Sequence, residues 1–268
     1  MENKEDIIKI KSISLKSKKH KTYLVETDYE ADEEYIIDED IIIKYGILKD
    51  REFKESEFKK ILKDAKIQVL VSKALNYISY GMRSKHEVYA YLDTKNKENE
   101  FTQNDLIEVV SRIKKLGYID DLKYSLGVLE YYKKTKGKNY IINKLKEKQV
   151  EERIIEEVIL KYSDTEEYEV AYSVICKTST QYRKYPISKQ KLLLTQKLYR
   201  DGFSSDIISS VINKTTLIDE SDDSLIKDFN KLNKKYESLD SYNKKMKIIS
   251  SLLRKGYEYS KIQKVINN

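Results

Sequence analysis

Apolar residues along this 268-residue chain follow two rhythms. Near the start, Ile8, Ile10 and, after a skip, Ile13 and Leu15 alternate with Lys and Ser, and Tyr23-Leu24-Val25 and Tyr35-Ile36-Ile37 follow as short runs. A period of two in β-branched and aromatic residues predicts three strands, the first two joined around Lys18–Lys21. Asp38 then offers an N-cap for a short helix through Tyr45, ended at Gly46. From Ser56 the spacing changes to three and four. Phe58, Ile61, Leu62, Ala65, Val69, Leu70, Ala74, Leu75 and Ile78 predict a long helix reaching Gly81, which enters the second part without a flexible linker.

Beyond that point the pattern repeats. Leu145, Val150, Ile155, Val158 and Ile159 recur as Leu198, Phe203, Ile208, Val211 and Ile212, and again as Leu252, Tyr257, Ile262, Val265 and Ile266. The copies are spaced by 53 and then 54 residues. An imperfect copy comes earlier: Phe101, Leu106, Val109 and Val110 keep the frame, but the leading leucine falls early, at Leu92. A period of this length marks tandem helical units that bury their apolar faces on one another. The helices expected are 69–80, 84–93 and 103–115; 120–134, 138–148 and 151–162; 165–180, 188–200 and 204–213; and 221–237, 241–255 and 259–266. Ser84 with Glu87 forms a capping box for the second of these. Gly117, Gly137, Gly202 and Gly256 fall at helix ends, where a left-handed cap favours glycine. The expected fold is mainly α: tandem three-helix repeats forming a curved, elongated scaffold with a small strand-containing N-terminal extension. The expected bounds are 1–66 for the extension and 67–268 for four repeats, at about 67–118, 119–163, 164–214 and 215–268.

Composition sharpens this picture. Charged residues make up 36% of the chain, with seven glycines and one proline, as long surface-charged helices require. The 23 tyrosines beside no tryptophan fit either a coding bias or a tyrosine-rich contact surface. Cys176 is alone, which excludes a disulfide framework, points to a reducing interior and reads as a core position on an apolar helix face. Met1–Lys9 has no apolar stretch of signal-peptide length, and no segment nears the roughly 20 apolar residues of a membrane span, so a soluble cytoplasmic protein is expected. The formal charge is +7. Residues 1–66 carry 15 basic and 17 acidic side chains, residues 67–268 carry 37 and 28, so the positive balance belongs to the helical part. That favours polyanionic partners.

Signs of catalysis are poor. There is no dinucleotide fingerprint, phosphate-binding P-loop or nucleophile elbow. His20 and His86 lie in unrelated segments, and the acidic runs at 38–40 and 219–223 precede helices, where the dipole favours carboxylates. No enzyme, metal or cofactor is expected. A basic tract is more suggestive: Lys133, Lys134, Lys136, Lys138, Lys144, Lys146 and Lys148 are interrupted by one acid, Glu147, and interleaved with Tyr131, Tyr132 and Tyr140. It reads either as a phosphate-contacting ridge or as a solvated helical surface. No pattern for base readout accompanies it, so sequence-specific DNA binding is not expected.

Three segments resemble a known family. Arg83-Ser84-Lys85-His86-Glu87-Val88 looks like its Arg-Ser-x-x-Glu-Leu segment, and Gly117-Tyr118-Ile119-Asp120-Asp121-Leu122-Lys123-Tyr124-Ser125 like its Gly-Tyr-[Ile/Leu]-[Asn/Asp]-Asp-x-x-[Phe/Tyr]-[Ala/Ser] segment. Gly137-Lys138 through Leu145-Lys146-Glu147-Lys148-Gln149-Val150 is similar to its third signature, with Gln149 in place of glycine, as Val88 replaces leucine in the first. The family is RecX, the regulators of the RecA recombinase, and the resemblance centres on about 74–162. It implies a non-enzymatic protein that binds the RecA–DNA filament and restrains strand exchange, ATP hydrolysis and coprotease activity in recombinational repair and the SOS response, and a monomer is expected. DNA contact would be weak and without sequence specificity. No catalytic residue carries over. The contact surface it implies is Arg83 and Lys85 of the first segment and the lysines of the third; together with the basic tract, the filament-contact candidates are Arg83, Lys85, Lys133, Lys134, Lys136, Lys138, Lys144 and Lys148. A non-specific single-stranded nucleic-acid binder is the alternative.

Overall fold

The computed structural model describes residues 6–29, 33–96 and 101–267, and part of the charged N-terminal stretch, residues 1–5, lies outside it. Its strands are β1 (Ile7–Ser17), β2 (Thr22–Thr27), β3 (Glu34–Asp38) and β4 (Glu52–Lys54), paired antiparallel in the order β3-β2-β1-β4. Ile8, Ile10, Val25, Ile37 and Phe53 supply the buried face. The skip in the β1 pattern has a cause: the register against β2 shifts between Ile10 and Ser12, and beyond it Leu15 turns outward. β4 adds a strand to the three expected. Its sequence, Glu-Phe-Lys, is too short to show alternation. It forms because Phe53 lies opposite Ile8, and both are buried by the pairing.

Helix α1 (Glu39–Tyr45) starts at Asp38, whose side chain accepts from the Asp40 N–H, and ends at Gly46 with φ 58°. Helix α2 (Glu55–Ser79) serves two cores. Phe58, Ile61 and Ala65 pack with the sheet residues. Ile67, Leu70, Val71 and Ala74 pack with Val88 and Leu92 of α3 (Lys85–Lys95), Leu106, Val109, Val110 and Ile113 of α4 (Gln103–Lys115), and Ile119.

The remaining helices are α5 (Asp121–Tyr132), α6 (Lys138–Glu147), α7 (Glu152–Ile159), α8 (Asp164–Tyr182), α9 (Ile187–Arg200), α10 (Ser205–Lys214), α11 (Asp222–Lys235), α12 (Ser241–Arg254) and α13 (Tyr259–Asn267). One core joins Ala171, Ile175, Leu194, Leu198, Phe203, Ile208, Val211 and Ile212 of α8–α10. Another joins Leu225, Leu232, Ile248, Ile249, Leu252, Tyr257 and Ile262 of α11–α13. Packing divides the chain into two compact units, residues 1–124 and 125–268.

The recurring pair of a leucine and an apolar residue five positions later has a backbone origin. At the ends of α6, α9 and α12 the N–H of Val150, Phe203 and Tyr257 reaches the carbonyl of Leu145, Leu198 and Leu252 at 3.1, 3.1 and 3.3 Å. The preceding N–H, of Gln149, Gly202 and Gly256, reaches Lys146, Tyr199 and Leu253. This pair of hydrogen bonds closes a helix with a left-handed residue and brings the flanking apolar side chains together. Val150, Phe203 and Tyr257 are buried accordingly, and Phe101, in the imperfect copy, is half-buried against its core.

Two expectations need correction. Gly137 is not a left-handed helix end: its φ is −80° and it is the N-cap of α6. Glycine is required there for another reason, since a Cβ would lie 2.4 Å from the Gly202 carbonyl oxygen. The Gly137 and Asn139 N–H groups bond to Asp201 and Gly202 carbonyls at 2.8 and 3.0 Å. Cys176 is exposed, not core. Ala171 and Ile175 define the buried stripe of α8, and the next residue is rotated about 100° away from it.

Candidate interaction surface

The first two signature segments meet in the unit formed by residues 1–124. Ser84 caps α3: its hydroxyl accepts from the Glu87 N–H at 3.1 Å and the Glu87 carboxylate accepts from the Ser84 N–H, a reciprocal arrangement worth about 1 kcal/mol. The next N–H, that of Lys85, donates to the buried Asp121 carboxylate at 2.7 Å. Asp120 accepts from the Lys123 N–H at 2.9 Å. The short polar residues of the second segment therefore tie the start of α5 to the start of α3, and these contacts explain why the two segments need their residue types.

The tie leaves a cleft of about 140 Å³ lined by Ile78, Met82, Arg83, Gly117, Tyr118 and their neighbours. Tyr118 follows the left-handed Gly117 (φ 80°), and its N–H reaches the Ile113 carbonyl at 3.2 Å, the same closure as in the other turns. Tyr118 is nevertheless 56% exposed, and Met82 is 50% exposed. Arg83 lies with its guanidinium 4.6 Å from the centroid of Tyr77, which stacks on Tyr91 at 4.1 Å and 5°. Lys95 covers Tyr91 at 5.5 Å. The Arg83 Nε is buried with no hydrogen-bond partner among the described residues. A rigid guanidinium, an exposed tyrosine and an exposed methionine around one cleft are the residue types that anchor protein interfaces. Arg83 was legible as a contact candidate, whereas the exposure of Tyr118 and Met82 was not, because both occupy positions that read as turn or core.

The lysines belong to the other unit and divide by what holds them. Lys136 pairs with the buried Asp201 at 2.6 Å, and Lys138 pairs with Asp164 and faces the buried Glu167 at 3.9 Å. Burial holds the Glu167 carboxyl above its ordinary range, partly offset by the bond from the Lys138 N–H, which reaches Glu167 at 3.0 Å. Lys133 and Lys144 make helix-surface pairs with Glu130 and Glu147 at 2.7 and 2.8 Å, which raise their pKa. Lys136 and Lys144 also sit over the Tyr140 ring at 4.9 and 5.9 Å. Lys134 is exposed and Lys148 caps the end of α6. Lys85 is exposed beside Arg83. Asp201 and Glu167 were missed as partners, since they lie 65 and 29 residues away in sequence.

Among the described residues no group of three His, Cys, Asp or Glu side chains could hold a metal ion, and no helix is long and apolar enough to cross a membrane. The acidic run at 219–223 is occupied otherwise: Asp219 and Asp222 pair with Lys261 at 3.1 and 2.7 Å.

Comparison with known proteins agrees with the signature segments. The family model described as RecX, third three-helix domain, matches residues 219–266. The chain is 30% identical over 267 residues to the regulatory protein RecX of Bacillus thuringiensis subsp. konkukian, covering 95% of each chain. It is 29% identical over 245 residues to that of Bacillus licheniformis, covering 88% of this chain and 91% of the relative. A crystal structure of regulatory protein RecX shares the fold, with a TM-score of 0.63 over 77% of this chain and 100% of the other, at 22% identity. Likeness over nearly the whole length, on a shared helical fold, places this chain in the RecX family of regulatory proteins.

Proposed function

We propose that the protein is a non-catalytic regulator that binds the RecA–DNA filament and lowers RecA's strand-exchange, ATPase and coprotease activities in the cytoplasm. The observation that carries this reading is the convergence of the two signature segments on one exposed cleft: residues held for structure (Ser84, Glu87, Asp121) surround residues left available for contact (Arg83, Met82, Tyr118). The lysine tract contributes through Lys134, Lys144 and Lys148, while Lys136 and Lys138 act mainly inside the fold. Four tandem three-helix units, at about 67–118, 119–163, 164–214 and 215–268, supply linked contact surfaces, and weak contacts on linked modules add through effective concentration. Steady-state ATP hydrolysis by RecA on single-stranded DNA, measured as the protein is titrated in, tests this. The rate should fall at protein concentrations below that of RecA. An unchanged rate would refute the reading.

A further inference from the structure

The sheet ends at β3, with no strand beyond it among the described residues. The Glu39 N–H reaches the Lys21 carbonyl at 2.9 Å, which sets the phase of the β2–β3 ladder. By alternation Tyr23 bonds to Ile37 and Val25 to Tyr35, while Glu34 and Ile36 turn their N–H and C=O groups to the open edge. Proteins blunt such an edge with lysine, proline or a bulge. β3, Glu-Tyr-Ile-Ile-Asp, has no lysine, no proline and no register shift against β2.

Beside the edge lies a groove of about 380 Å³, walled by β3 and by Leu62, Ala65 and Val69 of α2. Ile36 and Val69 are 48% and 41% exposed, so both walls offer apolar surface to solvent. The groove is firmly built, because the rings of Tyr29 and Tyr35 meet the buried Phe58 edge-on at 5.7 and 5.5 Å. An open strand edge with a helix alongside suits an extended segment: the backbone pairs with the strand and alternate side chains enter the groove.

Charge selects the occupant. Val25 and Ile37 are buried, so the other face of these strands carries Glu26 and Glu34, which stand directly opposite each other. Like charges so placed repel, and neither carboxylate has an ion-pair partner among the described residues. A cation on an incoming strand beside Glu34 would relieve that repulsion. A second copy of the edge would add to it, since antiparallel self-pairing centred on Ile36 sets Glu34 against Asp38 of the copy.

We propose that β3 and this groove bind an extended protein segment of alternating pattern, its apolar side chains facing α2 and its lysine or arginine lying beside Glu34 and Glu26. This surface uses other residues than the Arg83 cleft, and the proposal does not depend on the RecA reading.

The test uses the full chain without RecA and a fluorescent peptide of alternating valine and lysine, about eight residues long, followed by anisotropy. Wild type should bind it, and the same peptide with proline at two central positions should not bind, because proline removes the donors that pair with the edge. I36P removes an outward N–H while sparing the ladder to β2, and should abolish binding. E26K/E34K should bind the valine–lysine peptide about tenfold more weakly and should bind a valine–glutamate peptide more tightly than wild type does. That gain requires a folded protein. E52K/E108K changes the net charge equally at exposed sites away from β3 and should alter affinity less than about twofold. No binding by wild type, equal losses in the two charge-reversed proteins, or equal affinity for the proline-bearing peptide would each overturn the proposal. Dimerisation of the wild type that I36P abolishes would overturn it in favour of a second copy at the edge.

Discussion

Gln149 bears a backbone cost that its counterparts avoid. Its φ is 49°, at the position where Gly202 and Gly256 adopt 80° and 90°. A side chain in the left-handed region costs roughly 1–2 kcal/mol, part of which glycine gives back through the entropy of the unfolded chain. Q149G should therefore raise stability by about 0.5–1 kcal/mol in urea unfolding, and a lower midpoint would contradict the turn geometry. Lys138 tests the division of the lysine tract. Reversing it places a third carboxylate against Asp164 and the buried Glu167. K138E should destabilise by about 2 kcal/mol or more, whereas K134E, at an exposed position, should stay within about 0.5 kcal/mol. Comparable thermal shifts in the two would show that Lys138 is not held inside the fold. Sequence alone placed Arg83 and the lysines as contact candidates. It could not separate Lys138 from Lys134, because that distinction rests on acids contributed by another helix.

At the level of elements, most helix starts and ends were legible because they are fixed by local chemistry. Asp38, Ser84 and Asp240 cap α1, α3 and α12 with their own side chains, and α4 runs over the residues its periodicity predicts. What escaped reading depends on contacts distant in sequence: β4 exists through Ile8, and Gly137 through its approach to Gly202. Glycines that look alike in sequence should consequently differ in tolerance. At Gly117 a Cβ meets nothing within 4 Å, so G117A should cost only the left-handed term, about 1 kcal/mol. At Gly202 a Cβ would lie 2.2 Å from the Tyr140 backbone nitrogen, adding overpacking of about 1–3 kcal/mol to the same term. Calorimetric melting of the two variants should show G202A far less stable. Equal melting temperatures would mean that the α6 and α9–α10 backbones are not in the contact described.

For the whole molecule, the repeat with its 53- and 54-residue spacings was visible because α6, α9 and α12 all end in the same turn. The exposed cleft was not visible, because exposure of Tyr118 and Met82 is a property of the folded unit rather than of either segment. We propose that this cleft engages a RecA filament, with Arg83 and Tyr118 as its anchors. Truncating such anchors typically costs 2 kcal/mol or more, about thirtyfold in affinity. The most direct measurement is the binding of labelled wild type and R83A/Y118A to RecA filaments assembled on single-stranded DNA. The wild type should bind the filament, and the double variant should bind it at least thirtyfold more weakly while keeping its affinity for DNA without RecA. Equal filament affinity of the two proteins would contradict the account.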